Sequence, residues 1–419
     1  MSDGLAALFW GVITFSLLVV VHEGGHFLAA RFFGVKVHEF MVGLPGPAIR
    51  FRGPKTTYGI TAIPLGGYVR IAGMEPGPEE PLLGSALAAV TVAHTMDAES
   101  LATALGIDAD HADRLLLTLS DWDAIEAVEG RDDQYRSRFA AVDAADPVAL
   151  LDRARKVTYR GLSTTKRIVV LSMGVLLNLA TAVIVFTLVL SLFGYVKDTG
   201  AVGEVSPGSA AQSAGVRPGD RIVSVDGEAT PEFQDLVHAI AEYEVGQSVA
   251  LVFERGASRE TVTATLGENP KTGRAMLGVT PAWEEVQPNP WEAFLLSFSF
   301  IGLTFVAIAG FFNPATFATS VSQSSSVIGA AQYAAEAAQS GPLDYARIVA
   351  ALSLSLGVIN ILPLPPLDGG KIALELIERL RGKPLPRGLS IGVSLSGAAL
   401  LFALIAYLMY TDITRLVGG

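Results

Sequence analysis

The chain has 419 residues, of which 50% are hydrophobic and only 17% charged, and its mean hydropathy is +0.44. Soluble domains carry about 25% charge, so the composition argues against a single soluble domain and against a disordered chain, and the net charge of −11 argues against nucleic-acid binding. With no cysteine, disulfides and thiolate metal sites are excluded, and six histidines remain as the soft metal ligands.

Residues 5–30 form a nearly unbroken apolar run, long enough to span a bilayer as a helix. The run does not read as a cleaved signal. Met1-Ser2-Asp3 lacks a basic start, and His22, Glu23 and His26 stand inside it. Residues 85–139 read as a separate polar unit, with helices at 97–106 and 110–119 and a hairpin of 124–128 with 134–139. That order looks like a small winged helix-turn-helix. Its eleven acidic and four basic residues disfavour DNA, so a structural or protein-contact module is expected.

A second span is expected at 168–195. Residues 198–282 then read as a compact β-rich domain, with strands at 201–205, 221–225, 248–253, 261–266 and 276–279. Its helix at 231–242 opens with Thr230 as N-cap and Pro231 at the first helical position. Further apolar runs follow at 294–312, 348–364 and 389–410.

Basic residues orient these spans, because short cytoplasmic loops are rich in Lys and Arg. Arg153, Arg155, Lys156, Arg160, Lys166 and Arg167 precede the second span. Lys371, Arg379, Arg381, Lys383 and Arg387 separate the third from the fourth. Both loops read as cytoplasmic, the acidic region 198–290 as outside, and so do both termini. Parity then leaves no room for a full crossing by 294–312, which is expected to be interfacial or re-entrant. The fold class is an α-helical polytopic membrane protein with about four transmembrane helices and that one extra helix. The expected segments are 1–84, 85–139, 140–197, 198–285 and 286–419.

The decisive motif is His22-Glu23-Gly24-Gly25-His26. Positions i and i+4 share one helix face, so both imidazoles can bind one metal, and Glu23 beside it can take a proton from water. Ionisable groups inside an apolar span cost about 2–3 kcal/mol each on insertion scales and usually mark function. A catalytic zinc keeps three protein ligands and one open position. His38, His94, His111 and His238 all lie outside the apolar spans, so a carboxylate from another span is sought. Asp344, Asp368 and Asp412 are the candidates. Asp368 is best placed, because the helix-breaking run Pro363-Leu-Pro-Pro-Leu367 precedes it and Gly369-Gly370 follows. Two other readings compete: a metal transporter, which lacks the expected internal repeats, and a scaffold with a structural metal, for which no fourth ligand is evident.

His22-Glu-Gly-Gly-His26 together with Asn360-Ile-Leu-Pro363-Leu-Pro-Pro-Leu-Asp368-Gly-Gly370 resembles the site-2 protease family of intramembrane zinc metalloproteases. The resemblance extends to residues 58–70, which look like the family's membrane-associated β-hairpin, and to Lys166-Arg167 with Gly174 and Asn178. It implies Zn2+ bound by His22, His26 and Asp368, with Glu23 as catalytic base. Asn360 is the substrate contact that it suggests, beside Asn178, Gly66, Gly67 and Tyr68 as further substrate-binding candidates. The subgroup it is most similar to cleaves membrane-bound anti-sigma factors in the bacterial inner membrane. The implied partners are a single-pass membrane protein substrate and the lipid bilayer. Residues 85–139 are not part of that pattern, and a cytoplasmic protein is their expected partner. Residues 206–227 carry a resemblance of the region 201–282 to a bacterial PDZ domain, which implies an extracytoplasmic domain with a candidate peptide-binding edge at 275–279.

Overall fold

A computed structural model of the chain describes residues 3–63, 66–75, 78–270 and 272–418. Met1 and Ser2 of the amino-terminal reading, and Pro64 and Leu65 of the motif at 58–70, lie outside the described residues. The chain divides into two compact units, Met1–Thr187 with Phe294–Gly419, and Leu188–Ala293.

The first unit opens with helix α1 (Asp3–Phe32), whose largely apolar sequence carries no amphipathic stripe. A sheet follows, built from β1 (Val37–Val42), β2 (Ala48–Arg52), β3 (Thr57–Thr61) and β4 (Gly67–Ile71), in the order β2-β3-β1-β4. Strand β1 pairs parallel with β3 and antiparallel with β4. Residues 58–70 are therefore not the hairpin that the sequence suggests, because β1 lies between their two strands. Burial explains the order: Val37 and Met41 of β1 are buried, and Thr56 donates from its hydroxyl to Val37 O at 2.9 Å, holding β3 alongside.

The polar unit that comes next contains α2 (Leu83–Ala93), β5 (Thr95–Met96), α3 (Ala98–Leu105), α4 (Ala109–Asp121), β6 (Ile125–Val128) and β7 (Arg131–Ser137). The three strands form an antiparallel sheet in the order β5-β7-β6. Asp97 caps α3 by accepting from Ser100 N, Gly106 ends it with φ +69°, and Asp108 caps α4 by accepting from His111 N. Helix α2 is an addition to the elements expected from sequence. Its Leu, Ala and Val residues are apolar on every face, so no periodicity announces it, and it is buried in a core with Leu101, Leu115, Leu119 and Trp122. Leu150 of α5 (Pro147–Arg155) enters the same core, which therefore extends past the expected boundaries at both ends. Helix α6 (Thr164–Phe193) follows.

The second unit contains β8 (Tyr195–Val205), α7 (Ala210–Ser213), β9 (Arg221–Val225), β10 (Glu228–Ala229) and α8 (Phe233–Ala241). It continues with β11 (Ser248–Arg255), β12 (Ser258–Thr265), β13 (Gly267–Glu268), β14 (Ala275–Met276) and β15 (Val279–Val286). Its main sheet has the order β10-β9-β11-β12, while β8 pairs with β15 and β13 with β14. Ile222, Leu236, Ile240, Leu251 and Phe253 fill the core. The expected cap at Thr230 is corrected. Thr230 is buried and donates to Ile222 O, and the helix starts later, with Glu232 N donating to Asp235 Oδ2 at 2.9 Å.

The remaining helices are α9 (Pro290–Ala309) with a 3-10 turn (Gly310–Phe312), α10 (Phe317–Gln323), α11 (Val327–Ser340), α12 (Pro342–Ile361), α13 (Asp368–Arg381) and α14 (Arg387–Gly418). Among the described residues five helices are long and apolar enough to cross a membrane: Gly4–Phe32, Thr164–Phe193, Pro290–Phe312, Pro342–Ile361 and Arg387–Thr414. The third of these is the run read from sequence as interfacial or re-entrant. By length and composition it matches the others.

Candidate metal centre

The second half of α1 carries His22 and His26 on one face, and both are buried. Their Nε2 atoms lie 3.3 Å apart. Asp368, the first residue of α13, brings its Oδ2 to 2.9 Å from His22 Nε2 and 3.1 Å from His26 Nε2. All three ligand atoms lie within 4.8 Å of one another. Residues 342 positions apart in sequence thus share one point, the pairing that the sequence favours over Asp344 and Asp412.

Close packing makes this convergence possible. A Cβ at Gly25 would run into the backbone of Met173 in α6. A Cβ at Gly174 would meet His26 Nε2 at 2.5 Å and His22 O at 2.9 Å. Glycines at both positions therefore let α1 and α6 touch backbone to backbone. Gly369 and Gly370 act alike in α13, where added Cβ atoms would collide with Ile361 O and Pro365 N. The loop after α12 is thereby tucked under the first turn of α13, which sets the position of Asp368.

The outer nitrogens of both rings are engaged. His26 Nδ1 donates to Val170 O at 2.8 Å, which fixes the tautomer with a lone pair on Nε2. His22 Nδ1 lies 3.2 Å from the Asn178 amide, whose Oδ1 is buried without a partner when Nδ2 faces the ring. Turning that amide end for end lets Oδ1 accept from Nδ1–H, and His22 then also points a lone pair inward. Two lone pairs and a carboxylate oxygen at these separations repel unless a cation sits among them. Imidazole nitrogens with a carboxylate oxygen are a zinc donor set, and a ring N–H held by a carbonyl or amide oxygen is the usual support for such ligands.

Glu23, half-buried, makes no hydrogen bond among the described residues and lies in the field of His22, His26, Lys371 and Asp368. Lys371 donates to the second carboxylate oxygen, Asp368 Oδ1, at 3.3 Å. That contact, the Val170 carbonyl and the fit at Gly174 lie beyond what the sequence reading finds. Only the i, i+3 spacing of Asp368 and Lys371 signals one of them.

The relatives of this chain fit what the site shows. The sequence profile of Peptidase family M50 matches residues 10–404. The chain belongs to that family. The zinc metalloprotease RasP of Geobacillus kaustophilus is 27% identical over 432 residues, covering 99% of each chain. A probable protease, Eep, of Enterococcus faecalis is 28% identical over 96% of this chain and 98% of its own. A putative zinc metalloprotease of Synechocystis is 30% identical over 96% of this chain and 93% of its own. A solved PDZ domain of an SdrC-like protein from Listeria monocytogenes resembles 20% of this chain at 26% identity, with a TM-score of 0.19. This M50 peptidase is a multi-pass membrane protein and an intramembrane zinc metalloprotease.

The other candidates of the M50 chain lie as follows. Asp344 pairs with Arg347 at 3.1 Å, and buried Asp412 accepts from Ser326 N at 2.6 Å, so neither joins the histidines. Asn360, in the last turn of α12, donates to Leu356 O of its own helix at 2.9 Å. Gly66 has φ +85° and accepts from Gly43 N, while Gly67 opens the edge strand β4, opposite Val42. A Cβ on Gly67 would meet Val19 of α1 at 3.0 Å, so this strand passes one helical turn from His22. Tyr68 donates to Glu39 Oε2 at 3.2 Å across the same sheet.

Proposed function

We propose that His22, His26 and Asp368 hold the zinc of this M50 peptidase, and that Glu23 is its general base. The observation that carries this is the meeting of both Nε2 atoms with Asp368 Oδ2 inside a packed helical unit. When bound, zinc supplies Lewis acidity towards the scissile carbonyl and the attacking water. Glu23, unengaged and one residue from His22, takes the proton of that water and passes it to the leaving amine. Val170 O and Asn178 keep the two rings from turning, and Lys371 holds the outer oxygen of Asp368.

The substrate is a single-pass membrane protein of the anti-sigma type, cut within or beside its transmembrane segment. A helical peptide bond is shielded by its own hydrogen bonds, so the substrate has to unwind. Among the described residues strand β4 has one neighbour, β1, and its other edge offers N–H and C=O groups to an extended chain beside α1. Gly66, Gly67 and Tyr68 lie there, and Asn360 supplies an amide at the end of α12.

The enzyme sits in the inner membrane, with the basic loops in the cytoplasm. Four helices cross, and α9 enters and returns. Supporting this, the rings of Phe186 and Phe300 meet 5.0 Å apart, and α10 then leads back to Ser326, held by Asp412 near the far end of α14. The second unit is an extracytoplasmic PDZ domain, and residues 275–279 are its edge for a peptide end. The polar unit near 85–139 is a winged-helix-like cytoplasmic module that meets a protein partner. Glu23→Gln tests the central reading with a co-reconstituted substrate. Bound zinc should persist while cleavage falls by about 10²–10⁴, the usual contribution of a general base. Undiminished cleavage would overturn it.

A further inference from the structure

The two Lys/Arg-rich segments of the sequence, one before α6 and one between α12 and α14, converge on a single cleft. Its volume is about 930 Å³, in the range of small-ligand sites. Arg155, Arg160, Arg167, Lys371, Arg379 and Lys383 line it. Glu75, Glu79, Glu375 and Glu378 line it as well.

The pairing is incomplete. Arg155 meets Glu79 at 2.5 Å and Asp152 at 3.0 Å, Arg167 meets Glu375 at 3.4 Å, and Lys371 meets Asp368 at 3.3 Å. Arg379 and Lys383 have no carboxylate partner among the described residues. Arg155 Nε is buried without an acceptor.

Its depth narrows the class of ligand. Thr164, Arg167 and Leu171 line it from successive turns of α6, and Ser390 and Ser394 from the start of α14. The walls thus run from loop level into the first turns of two apolar spans, the level of lipid headgroups. The same end of α14 also lines a groove of about 520 Å³, with Gly388, Leu389, Gly392 and Val393 against Pro363 and Pro365. Charge and grease side by side suit an amphiphile.

We propose that this cleft binds the phosphate of an anionic phospholipid, with Arg379 and Lys383 as its principal contacts. Basic pockets between spans are known places for such headgroups. A lipid held there ties the ends of α6, α13 and α14 to one leaflet. The proposal uses the membrane placement of the chain and not its catalytic residues.

The test uses the full chain in nanodiscs of mixed phosphatidylglycerol and phosphatidylcholine, with retained lipids counted by native mass spectrometry. The native chain should enrich phosphatidylglycerol by about tenfold over phosphatidylcholine, a decade in Kd. Arg379→Ala with Lys383→Ala should lose that enrichment while keeping native helicity and zinc content. Equal retention of both lipids, or unchanged enrichment in the double variant, overturns the site. Displacement of the bound lipid by millimolar inorganic phosphate would assign the cleft to a free anion and overturn the lipid reading. Displacement by a soluble peptide of a substrate's cytoplasmic flank would give the cleft to protein and overturn it too.

Discussion

Asn178 decides what His22 can do. With the amide oxygen on Nδ1–H, the ring presents a lone pair at Nε2; with a donor there, it cannot. The side chain lies 3.2 Å from Nδ1 and is fully buried, so it has no alternative partner in water. Asn178→Ala should weaken zinc affinity by about 10–100-fold, as loss of such outer partners does. A competitive chelator titration reads this directly, and unchanged affinity would remove Asn178 from the centre. Gly174→Ala is a sharper case. The new methyl would take the space of His26 Nε2, so zinc binding should fall by about tenfold or more while the α-helical signal stays. Neither role follows from sequence, because a glycine that admits a ring from another helix has no periodicity of its own. The spacing of His22 and His26, by contrast, is a property of one helix, and four positions along a single apolar run suffice to display it.

At the scale of elements, legibility follows whether a signal is local. Asp97 and Gly106 bracket α3 with side-chain chemistry that sequence displays, and the helix is where those residues put it. Helix α2 has no cap signal and no polar face, so nothing in its residues marks it as a helix. The order β2-β3-β1-β4 depends on which strand buries Val37 and Met41, a tertiary matter that makes residues 58–70 look like a hairpin. The unit containing α2 packs on Trp122, which is 1% exposed. Trp122→Ala should destabilise it by about 3–5 kcal/mol. Hydrogen exchange should show this in α2–α4 while zinc content holds; loss of zinc would make that unit part of the centre's support. In the second unit, burial raises the Asp220 carboxyl, but the Arg255 guanidinium and Arg217 N–H outweigh it and hold the group below its usual range. A depressed folded value stabilises above the unfolded one, near pH ~3.9, and that stability is lost as pH falls through the folded value. Exchange protection of β11 should therefore decline below about pH 4, and Asp220→Asn should flatten that decline. An identical acid profile in the variant would show that the pair does not set it.

For the whole molecule, composition alone announces a membrane protein, and the family match across residues 10–404 agrees. The number of crossings is harder to read from the sequence, because α9 is as apolar as its neighbours and there only the parity of basic loops argues against a full crossing. The meeting of α1, α6 and α13 is half legible. Two motifs name the histidines and Asp368, but the glycines that let three backbones approach show their purpose only in three dimensions. The proposed function rests on one ion shared by His22, His26 and Asp368. Zinc X-ray absorption on the purified full chain, native and Asp368→Ala, tests that claim most directly. The native spectrum should show two imidazole nitrogens and a carboxylate oxygen at about 2.0–2.2 Å, and the variant should lose the zinc or that oxygen. A variant that keeps one zinc per chain with an unaltered spectrum would contradict the account.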